Sequence, residues 1–344
     1  MTAVNRQWLL ARRPRGEVSP EDFRLVEAPV PEPAEGEVLV RNLLLSCDPT
    51  QRGWMAADSY LPAVKIGEVM RAIAGGEVVA SRHPAWKPGD LVQGRFGWQE
   101  WALARPGTET APGPVFPGVP LETAMSALGL TGLTAYFGLL EVGRPKAGET
   151  VVVSGAAGAT GSAVGQIARI QGCRAIGIAG GAEKCRLLTS TFGFDAAIDY
   201  KAEDVGARLG ELCPKGLDVF FDNVGGATLE AALDHLAMRA RVVICGAISR
   251  YGDTSLVPGP RNYLNLLVRR SRMEGFLVLD HYARAAEAVA ALSGWLRDGR
   301  LVDRVDVVTG LENAPLALRR LFRGENQGKQ LVRIAEPSAT GRRP

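Results

Sequence analysis

Three glycines spaced three residues apart are the first feature of this chain that could do chemistry. Gly155, Gly158 and Gly161 follow an apolar β-branched run at 151–153 and precede a stretch with helical spacing at 162–170. Such glycines allow a tight turn, the close approach of backbone to a pyrophosphate, and close packing of helix on strand. Backbone N–H groups at the start of the helix, aided by its dipole, would bind the phosphates. The stretch predicts a dinucleotide-binding turn, and the alternative is a plain turn with a helix–strand contact.

The next strand bears on which dinucleotide would bind. Residues 174–180 form a second predicted strand, and in NAD enzymes an acidic residue roughly 20 positions after the glycines accepts a hydrogen bond from the ribose 2′-OH. Here the strand runs into Gly180 and Gly181, and Lys184 follows. An open strand end with a nearby cation favours NADPH, whose 2′-phosphate needs room and positive charge. The alternative for Lys184 is a solvated lysine in the first turn of a helix.

The second half of the chain predicts the sheet that would position these residues. From residue 148 onward strands and helices alternate, as a doubly wound parallel sheet requires. Further strands are predicted at 196–200, 217–222, 241–245 and 273–278, with helices at 183–191, 203–212, 228–236 and 283–297. With the two strands already described, they make the six strands of a complete dinucleotide-binding sheet.

Residues 8–107 have a different pattern, strand-like and punctuated by proline and glycine. Strands are predicted at 23–26, 37–45, 76–81, 90–94 and 98–104, which together indicate a β domain.

Helical character begins at 121–140, with an interruption at 129–132, and there the chain would cross into the second domain. Strands at 305–308 and 330–334 follow the completed sheet and are predicted to return to the first domain. The predicted boundaries are 1–128 with 302–344 for the β domain and 129–301 for the dinucleotide-binding domain. The predicted fold class is therefore α/β.

Composition excludes several classes of function. The 344 residues suffice for two domains, and a net charge of +3 offers no field that would attract nucleic acid. Residues 1–15 lack the apolar core of a signal peptide, and no apolar run approaches the roughly 20 residues of a membrane span. These features predict a cytoplasmic protein that binds neither nucleic acid nor membrane.

Cysteine and histidine positions argue against a metal site. The five cysteines are scattered and odd in number, which suits a reducing compartment without disulfides. No Cys-x-x-Cys pair occurs, and His83, His235 and His281 lie far from any cluster with ligand spacing. The sequence predicts no bound metal.

Together these motifs resemble the medium-chain dehydrogenase/reductase superfamily and, within it, the zinc-free family of leukotriene B4 12-hydroxydehydrogenase, prostaglandin reductase and 2-alkenal reductase. The resemblance covers nearly the whole chain. The segments that carry it are residues 45–49 (Leu-Ser-Cys-Asp-Pro), 52–53, 94–101, 129–136, 155–161, 172–174, 183–185, 221–226 (Phe-Asp-Asn-Val-Gly-Gly), 245–249 with Tyr251, 259–263 (Gly-Pro-Arg-Asn-Tyr), and Leu321-Phe322 with Gly324, Asn326, Gly328 and Lys329.

The resemblance implies a GroES-like β domain completed by the C-terminal tail, a Rossmann domain, and an active cleft between them. It also implies NADPH as cofactor and a homodimer. The pyrophosphate loop would be Gly158, Ala159, Thr160 and Gly161, and the residues that bind the 2′-phosphate would be Lys184 and Tyr200. The residues lining the adenosine and nicotinamide ribose, with one from the returning tail, would be Asn223, Cys245, Gly246, Ala247, Ile248, Ser249, Tyr251, Phe276, Leu277, Val278 and Asn326. The alternative for Tyr200 is a core aromatic residue at the end of a strand.

A missing histidine bears on the reaction. Zinc-dependent relatives carry a Gly-His-Glu motif that helps bind a Lewis acid, whereas this chain has Lys65-Ile66-Gly67-Glu68 at the corresponding place and no lobe with four cysteines. Alcohol oxidation through a metal alkoxide is therefore not expected. Hydride addition to the β-carbon of an enone requires less, because the enolate that develops is delocalised and can be held by a phenol or a ribose hydroxyl.

Tyr251 is the predicted catalytic donor to that oxygen and also a predicted substrate contact, since a tyrosine phenol stays protonated at neutral pH. The alternative is a mobile loop tyrosine that covers the cleft. Many relatives carry Tyr-Met after the Asp-Pro of the first domain, whereas this chain has Thr50-Gln51. Tyr60 is predicted to replace in part the missing aromatic at the substrate mouth. Arg250 and Gly252 also depart from the family pattern, which favours an acidic or more polar substrate.

The predicted function is that of an oxidoreductase acting on CH–CH groups. It would use NADPH to reduce the carbon–carbon double bond of α,β-unsaturated aldehydes or ketones, as 2-alkenal and enone reductases do. One alternative is an NADPH-dependent quinone oxidoreductase. A second, from another class, is a protein that binds NADPH without catalysis.

Overall fold

The structure is a computed structural model that describes residues 4–252 and 259–338, and it divides into two units. The first unit contains the residues up to Met125, then Val305–Asn326 and the residues from Gln330 onward. The second unit contains Ser126–Arg304 and Gln327–Lys329. Within the described ranges no helix is both long and apolar enough to cross a membrane.

The first unit begins with strands that pair mainly with their neighbours in sequence. Its strands before residue 125 are β1 (Val4–Leu10), β2 (Phe23–Pro29), β3 (Val38–Ser46), β4 (Ala74–Ser81), β5 (Leu91–Gly94), β6 (Trp101–Ala104) and β7 (Gly113–Pro114). Its helices there are a 3-10 turn at Pro20–Asp22, α1 (Thr50–Ala56) and α2 (Leu121–Met125). Strands β1 and β2 form an antiparallel pair of their own. Strand β3 pairs with β4 along one edge and with β6 along the other, so it lies at the centre of the larger sheet.

The second unit alternates strands and helices. It begins with α3 (Leu130–Phe137), which continues into a π-helical turn at Gly138–Gly143. The elements that follow are β8 (Thr150–Ser154), α4 (Ala159–Ile170), β9 (Arg174–Ala179), α5 (Ala182–Ser190), β10 (Ala196–Asp199), α6 (Val205–Leu212), β11 (Leu217–Asp222), α7 (Gly226–Asp234), β12 (Leu236–Ile244), α8 (Asn265–Arg269), β13 (Arg272–Gly275), a 3-10 turn at Val278–Arg284, and α9 (Ala285–Arg297).

The chain then completes the first unit. The remaining elements are β14 (Val305–Thr309), a 3-10 turn at Leu311–Asn313, α10 (Ala314–Phe322) and β15 (Lys329–Arg333). Strand β15 pairs antiparallel with the Leu44–Ser46 part of β3. Among the described residues the order of the larger sheet is β14-β15-β3-β4-β5-β7, with β6 also on β3. The predicted β domain completed by the C-terminal tail is confirmed.

In the parallel sheet of the second unit, the carboxyl ends of all the strands lie along one edge. In the described residues its order is β10-β9-β8-β11-β12-β13, and every neighbouring pair is parallel. The order reverses between β8 and β11, the point at which open α/β sheets bind their ligands outside the carboxyl ends of the strands. Val151, Val152 and Val153 on β8 are fully buried, as expected for a central strand covered on both faces. The predicted doubly wound sheet is confirmed.

Some elements differ from the sequence predictions. Helix α3 begins at Leu130 and so passes through the predicted interruption, because Gly132 packs against the backbone of Ala127, where a Cβ would lie 1.8 Å from the Ala127 carbonyl oxygen. The sequence patterns do not predict β1, α1 or α10. Helix α10 buries Ala317 and Leu318 against the first-unit core, and tertiary packing supports it despite an early proline.

Candidate functional site

The glycine-rich turn lies between β8 and α4, as predicted. Gly155 has φ of +59°, a left-handed conformation that glycine adopts without strain. A Cβ at Gly161 would lie 2.4 Å from the carbonyl oxygen of Gly155, and one at Gly158 would lie 3.3 Å from the same oxygen. Gly158 occupies the cap position of α4 and has no side chain to cover the first turn, where Ala159 and Thr160 lie. The turn is a cradle that any larger residue would fill, and its shape suits a pyrophosphate.

A buried network joins the carboxyl ends of the two central strands. Ser154 Oγ donates to Asp222 Oδ1 at 2.7 Å and accepts from the backbone N–H of Asn223 at 2.8 Å. The side-chain amide of Asn223 donates to the Ser154 carbonyl oxygen at 2.7 Å. Asp222 also accepts from the N–H groups of Val224 and Gly225, both at 3.0 Å. The network fixes Asn223, a predicted cofactor contact, beside the glycine-rich turn.

Asp222 is almost entirely buried, and burial is the largest influence on the pKa of its carboxyl group. Burial raises the pKa of this carboxyl group above its ordinary value, and the hydrogen bonds from Gly225, Ser154 and Val224 offset part of the increase. The charge at neutral pH therefore reduces the stability of the folded state, and the network limits that cost.

Replacing Asp222 with asparagine tests this balance through the pH dependence of stability. The folded pKa lies above the unfolded one, so the wild type loses stability as pH rises from the unfolded value, about 3.9, through the folded value. Asp222→Asn cannot titrate at this position. The free energy of unfolding of wild type minus that of the variant should therefore be greatest in acid and fall toward neutral pH, by about 1.4 kcal/mol per unit of pKa difference.

Urea unfolding between about pH 4 and about pH 7 measures this difference. The exposed Asp298, at the end of α9, offers Asp298→Asn as the control for loss of one carboxylate. If the unfolding free energy of wild type minus that of Asp222→Asn rose with pH, the pKa of Asp222 would be lower in the folded state than in the unfolded state. The interpretation that burial raises this pKa would then be wrong.

The end of β9 is open, and the ring of Tyr200 lies over it. A Cβ at Gly180 would lie 2.8 Å from ring carbons and from the hydroxyl oxygen of Tyr200. Tyr200 is 50% exposed, so the alternative of a core aromatic residue is wrong. Asp199 Oδ1 accepts from the N–H of Gly181 at 2.7 Å and holds the turn. Lys184 lies in the first turn of α5 and is half-buried. The structure brings Tyr200 and Lys184 to the same open end of the sheet.

The segment after β12 runs along the end of β11. The N–H groups of Cys245 and Gly246 donate to the carbonyl oxygen of Asp222 at 2.9 and 3.1 Å. Those of Ile248 and Ser249 donate to the carbonyl oxygens of Asn223 and Val224, both at 3.2 Å. Burial, and then the charge of Asp222, raise the pKa of the Cys245 thiol to about 12, so this cysteine is not an activated nucleophile.

The hydroxyl of Tyr251 returns to this same segment. Its oxygen accepts from the backbone N–H of Ala247 at 3.3 Å. A Cβ at Gly246 would lie 3.0 Å from that oxygen, so the phenol oxygen lies directly against the glycine. Tyr251 is half-buried. The predicted donor therefore stands at the carboxyl edge of the parallel sheet, on the edge that carries the glycine-rich turn.

Phe276, Leu277 and Val278 follow the carboxyl end of β13, at the edge of the same sheet. The Phe276 ring occupies the space beside Gly138, where a Cβ would lie 2.3 Å from the ring, and it meets Phe221 edge-on with the ring centroids 6.4 Å apart. This packing anchors the three predicted cofactor contacts to the π-helical turn.

Two predicted site residues belong to the first unit. Tyr60 is 44% exposed; its hydroxyl shares a 2.7 Å hydrogen bond with Thr50 Oγ1, and its ring meets Trp54 edge-on. The Arg71 guanidinium lies over Trp54, 5.7 Å from the ring centroid. Asn326 is buried, between α10 and β15.

Sequence reasoning missed one segment that lies on the cradle. Gln327–Lys329, here called the strap, belongs to the second unit. The N–H of Gly328 donates to the carbonyl oxygen of Ala157 at 2.8 Å, and Gly328 forms a parallel bridge with Gly158. The resemblance placed Asn326 of this returning tail at the cofactor but assigned no role to Gln327, and it named Gly328 and Lys329 only as matching positions.

Comparison with known proteins identifies the family. Residues 6–111 match the family described as the N-terminal domain of oxidoreductase, and residues 159–294 match that described as zinc-binding dehydrogenase. The NADPH-dependent curcumin reductase of Escherichia coli is 42% identical over 96% of this chain and 97% of that protein. The NADP(+)-dependent 2-alkenal reductase of Nicotiana tabacum is 40% identical over 96% of this chain and 98% of that protein.

The chain belongs to the zinc-independent medium-chain dehydrogenase/reductase family.

Solved structures place it in the same family. The crystal structure of CurA from Vibrio vulnificus in complex with NADPH is 42% identical, covers 96% of this chain and all of that one, and has a TM-score of 0.91. The resemblance drawn from the motifs is confirmed. In the part of the chain that the structure describes, no group of three or more His, Cys, Asp or Glu side chains could hold a metal ion.

Proposed function

We propose that this family member reduces the carbon–carbon double bond of α,β-unsaturated aldehydes and ketones with NADPH. The observation that carries the proposal is the position of the Tyr251 hydroxyl against Gly246, at the carboxyl edge that also carries the glycine-rich cradle. A phenol at that edge can hold the oxygen of an enolate. The high identity to an alkenal reductase supports the same reaction class.

The residues of the second unit fit NADPH as the cofactor. Gly158 and Gly161 leave a cradle for the pyrophosphate. Lys184 and the exposed ring of Tyr200 lie at the open end of β9, where the ribose of a dinucleotide is read. When bound there, NADPH supplies the hydride that adds to the β-carbon of the substrate.

The protein's own contribution is to hold the substrate oxygen while charge develops on it. The Tyr251 hydroxyl donates to the carbonyl oxygen of the substrate, which becomes an enolate oxygen, and a proton from water then adds to the α-carbon. The Ala247 N–H donates to the phenol oxygen, and a hydroxyl that accepts a hydrogen bond is a stronger donor. Ala247 therefore orients and strengthens the donor.

The predicted homodimer has support from one surface of the second unit. Among the described residues β13 is the edge strand of the parallel sheet, and α8, which packs on the neighbouring strand β12, exposes Leu267 and Val268 to 75% and 62%. Edge strands with adjacent apolar side chains favour pairing with another copy. Light scattering on the purified protein measures its oligomeric state. A monomer at micromolar concentration would contradict the proposed homodimer.

Oxidation of NADPH, and separately of NADH, against a panel of electrophiles tests the function. The panel contains a 2-alkenal, an open-chain enone, a cyclic enone and a quinone, with products identified by mass. We expect saturated carbonyl products and a strong preference for NADPH. An allylic alcohol product would place the hydride on the carbonyl carbon and contradict the proposal.

Two other outcomes would favour the alternatives. Turnover of the quinone alone would indicate a quinone oxidoreductase. The solved structure of the quinone oxidoreductase of Pseudomonas syringae is 26% identical to this chain, with a TM-score of 0.78. Binding of NADPH without oxidation by any electrophile would indicate a binding protein without catalysis.

A further inference from the structure

The side chain of Gln327 joins two charged residues on either side of the strap. Its Nε2 donates to Glu183 Oε1 at 2.7 Å, and its Oε1 accepts from Arg304 Nη2 at 2.7 Å. A carboxylate can only accept and a guanidinium can only donate. The two partners therefore allow one orientation of the amide, in which the NH₂ group faces Glu183.

The backbone of the strap is fixed independently of that side chain. Gly328 donates to Ala157, and the N–H of Lys329 donates to the carbonyl oxygen of Arg304, both at 2.8 Å. Gly328 has φ of +78°, and a Cβ there would lie 2.1 Å from the Arg304 carbonyl oxygen. A change confined to the Gln327 side chain leaves these backbone contacts in place.

Glu183 is the one acidic residue in the first turn of α5, directly before Lys184. Adjacent positions on a helix point about 100° apart, so the two side chains leave the helix in different directions. The exposed Glu183 carboxylate is held by the strap. A carboxylate that moved to within about 4 Å of a phosphate charge in water would weaken binding about five-fold, whereas an unphosphorylated ribose would not be affected.

We propose that Gln327 is a specificity-determining residue for the cofactor. By holding Glu183 against the strap, it keeps that negative charge away from the side of α5 on which Lys184 and Tyr200 would receive the 2′-phosphate. The inference rests on the proposed use of NADPH. It adds a residue that acts through Glu183 and discriminates between the phosphorylated and the unphosphorylated cofactor.

Dissociation constants for NADP⁺ and NAD⁺, measured by calorimetry on the full chain, test the proposal. Gln327→Leu removes the donor to Glu183 and should lower the preference for NADP⁺ over NAD⁺ about five-fold. Adding Glu183→Gln removes the released charge, and the double variant should return to within about two-fold of the wild-type preference. Gln171→Leu, at the C-terminal cap of α4, is the matched control and should leave the preference unchanged.

A second substitution at Gln327 distinguishes an effect on Glu183 from a general disturbance of the strap. Gln327→Glu keeps a partner for Arg304 and repels Glu183, so it should lower the preference by more than Gln327→Leu does. Thermal unfolding of each variant confirms that it is folded.

Three results would overturn the inference. One is an unchanged preference in both Gln327 variants. Another is an equal loss of NADP⁺ and NAD⁺ affinity, which would mean that Gln327 only positions the strap. The third is a double variant whose preference for NADP⁺ over NAD⁺ is as low as that of Gln327→Leu. A wild type without preference for NADP⁺ would overturn the proposed cofactor as well, which separates failure of the function from failure of this inference.

Discussion

Replacing Tyr251 with phenylalanine is expected to lower the turnover number for enone reduction about 100-fold. The substitution removes only the hydroxyl, which lies against Gly246 and accepts from the N–H of Ala247. Without it the enolate oxygen loses a donor at the stage when charge develops. Binding of NADP⁺ should change less than about two-fold, because the ring still covers the same segment. Steady-state rates with a 2-alkenal and calorimetry with NADP⁺ measure the two effects.

A matched control is available on the same unit. Tyr263 is 58% exposed, and Tyr263→Phe removes a phenol hydroxyl from the surface, so the turnover number should be unchanged. Full activity in Tyr251→Phe would show that the ribose hydroxyl or water is the donor. Equal losses of turnover and of NADP⁺ affinity would indicate a tyrosine that only covers the cofactor.

Replacing Lys184 with alanine should lower kcat/KM for NADPH about 30-fold and leave kcat/KM for NADH within about two-fold. Lys184 lies in the first turn of α5 at the open end of β9, where Tyr200 is also placed. An ammonium group that contacts the 2′-phosphate contributes only when that phosphate is present. The loss should diminish at high salt, since salt screens an ion pair that is in contact with solvent.

Lys215→Ala is the control for this change. Lys215 is exposed and precedes β11, at the amino end of the parallel sheet, so its loss removes one positive charge remote from the carboxyl edge. If Lys184→Ala lowered kcat/KM for both cofactors equally, Lys184 would have a structural role. If neither value changed, it would be the solvated lysine of the alternative interpretation.

Much of the parallel sheet could be predicted from the sequence because its signals are local. The apolar run at 151–153 and the glycines that follow specify a strand, a turn and a helix within about 20 residues, and the structure has all three. Strand β1 was harder, because Asn5, Arg6 and Gln7 interrupt its apolar alternation. Its pairing with β2 supplies the stability that its own sequence does not indicate.

Site residues could be predicted where the local backbone requires one residue type. They could not be predicted where two residues distant in sequence act as a pair. Glycine at 161 is required by the adjacent carbonyl group, so the motif alone locates it. Ser154 and Asp222 are ordinary polar residues until the pairing of β8 with β11 places them 2.7 Å apart. Gln327 and Glu183 are 144 residues apart in sequence, and no local pattern relates them.

The position of β15 in the sheet of the first unit has a consequence for synthesis of the chain on the ribosome. The parallel sheet of the second unit has all its described strands once Gly275 has been made, whereas Leu44–Ser46 of β3 have no β15 to pair with until residues 329–333 emerge. At about 5–20 residues per second, the interval between synthesis of β3 and synthesis of β15 lasts for tens of seconds. During it the nascent chain carries an apolar strand edge, of the kind that pairs with other chains. Translation therefore allows the second unit to form its sheet before the first unit can complete its own.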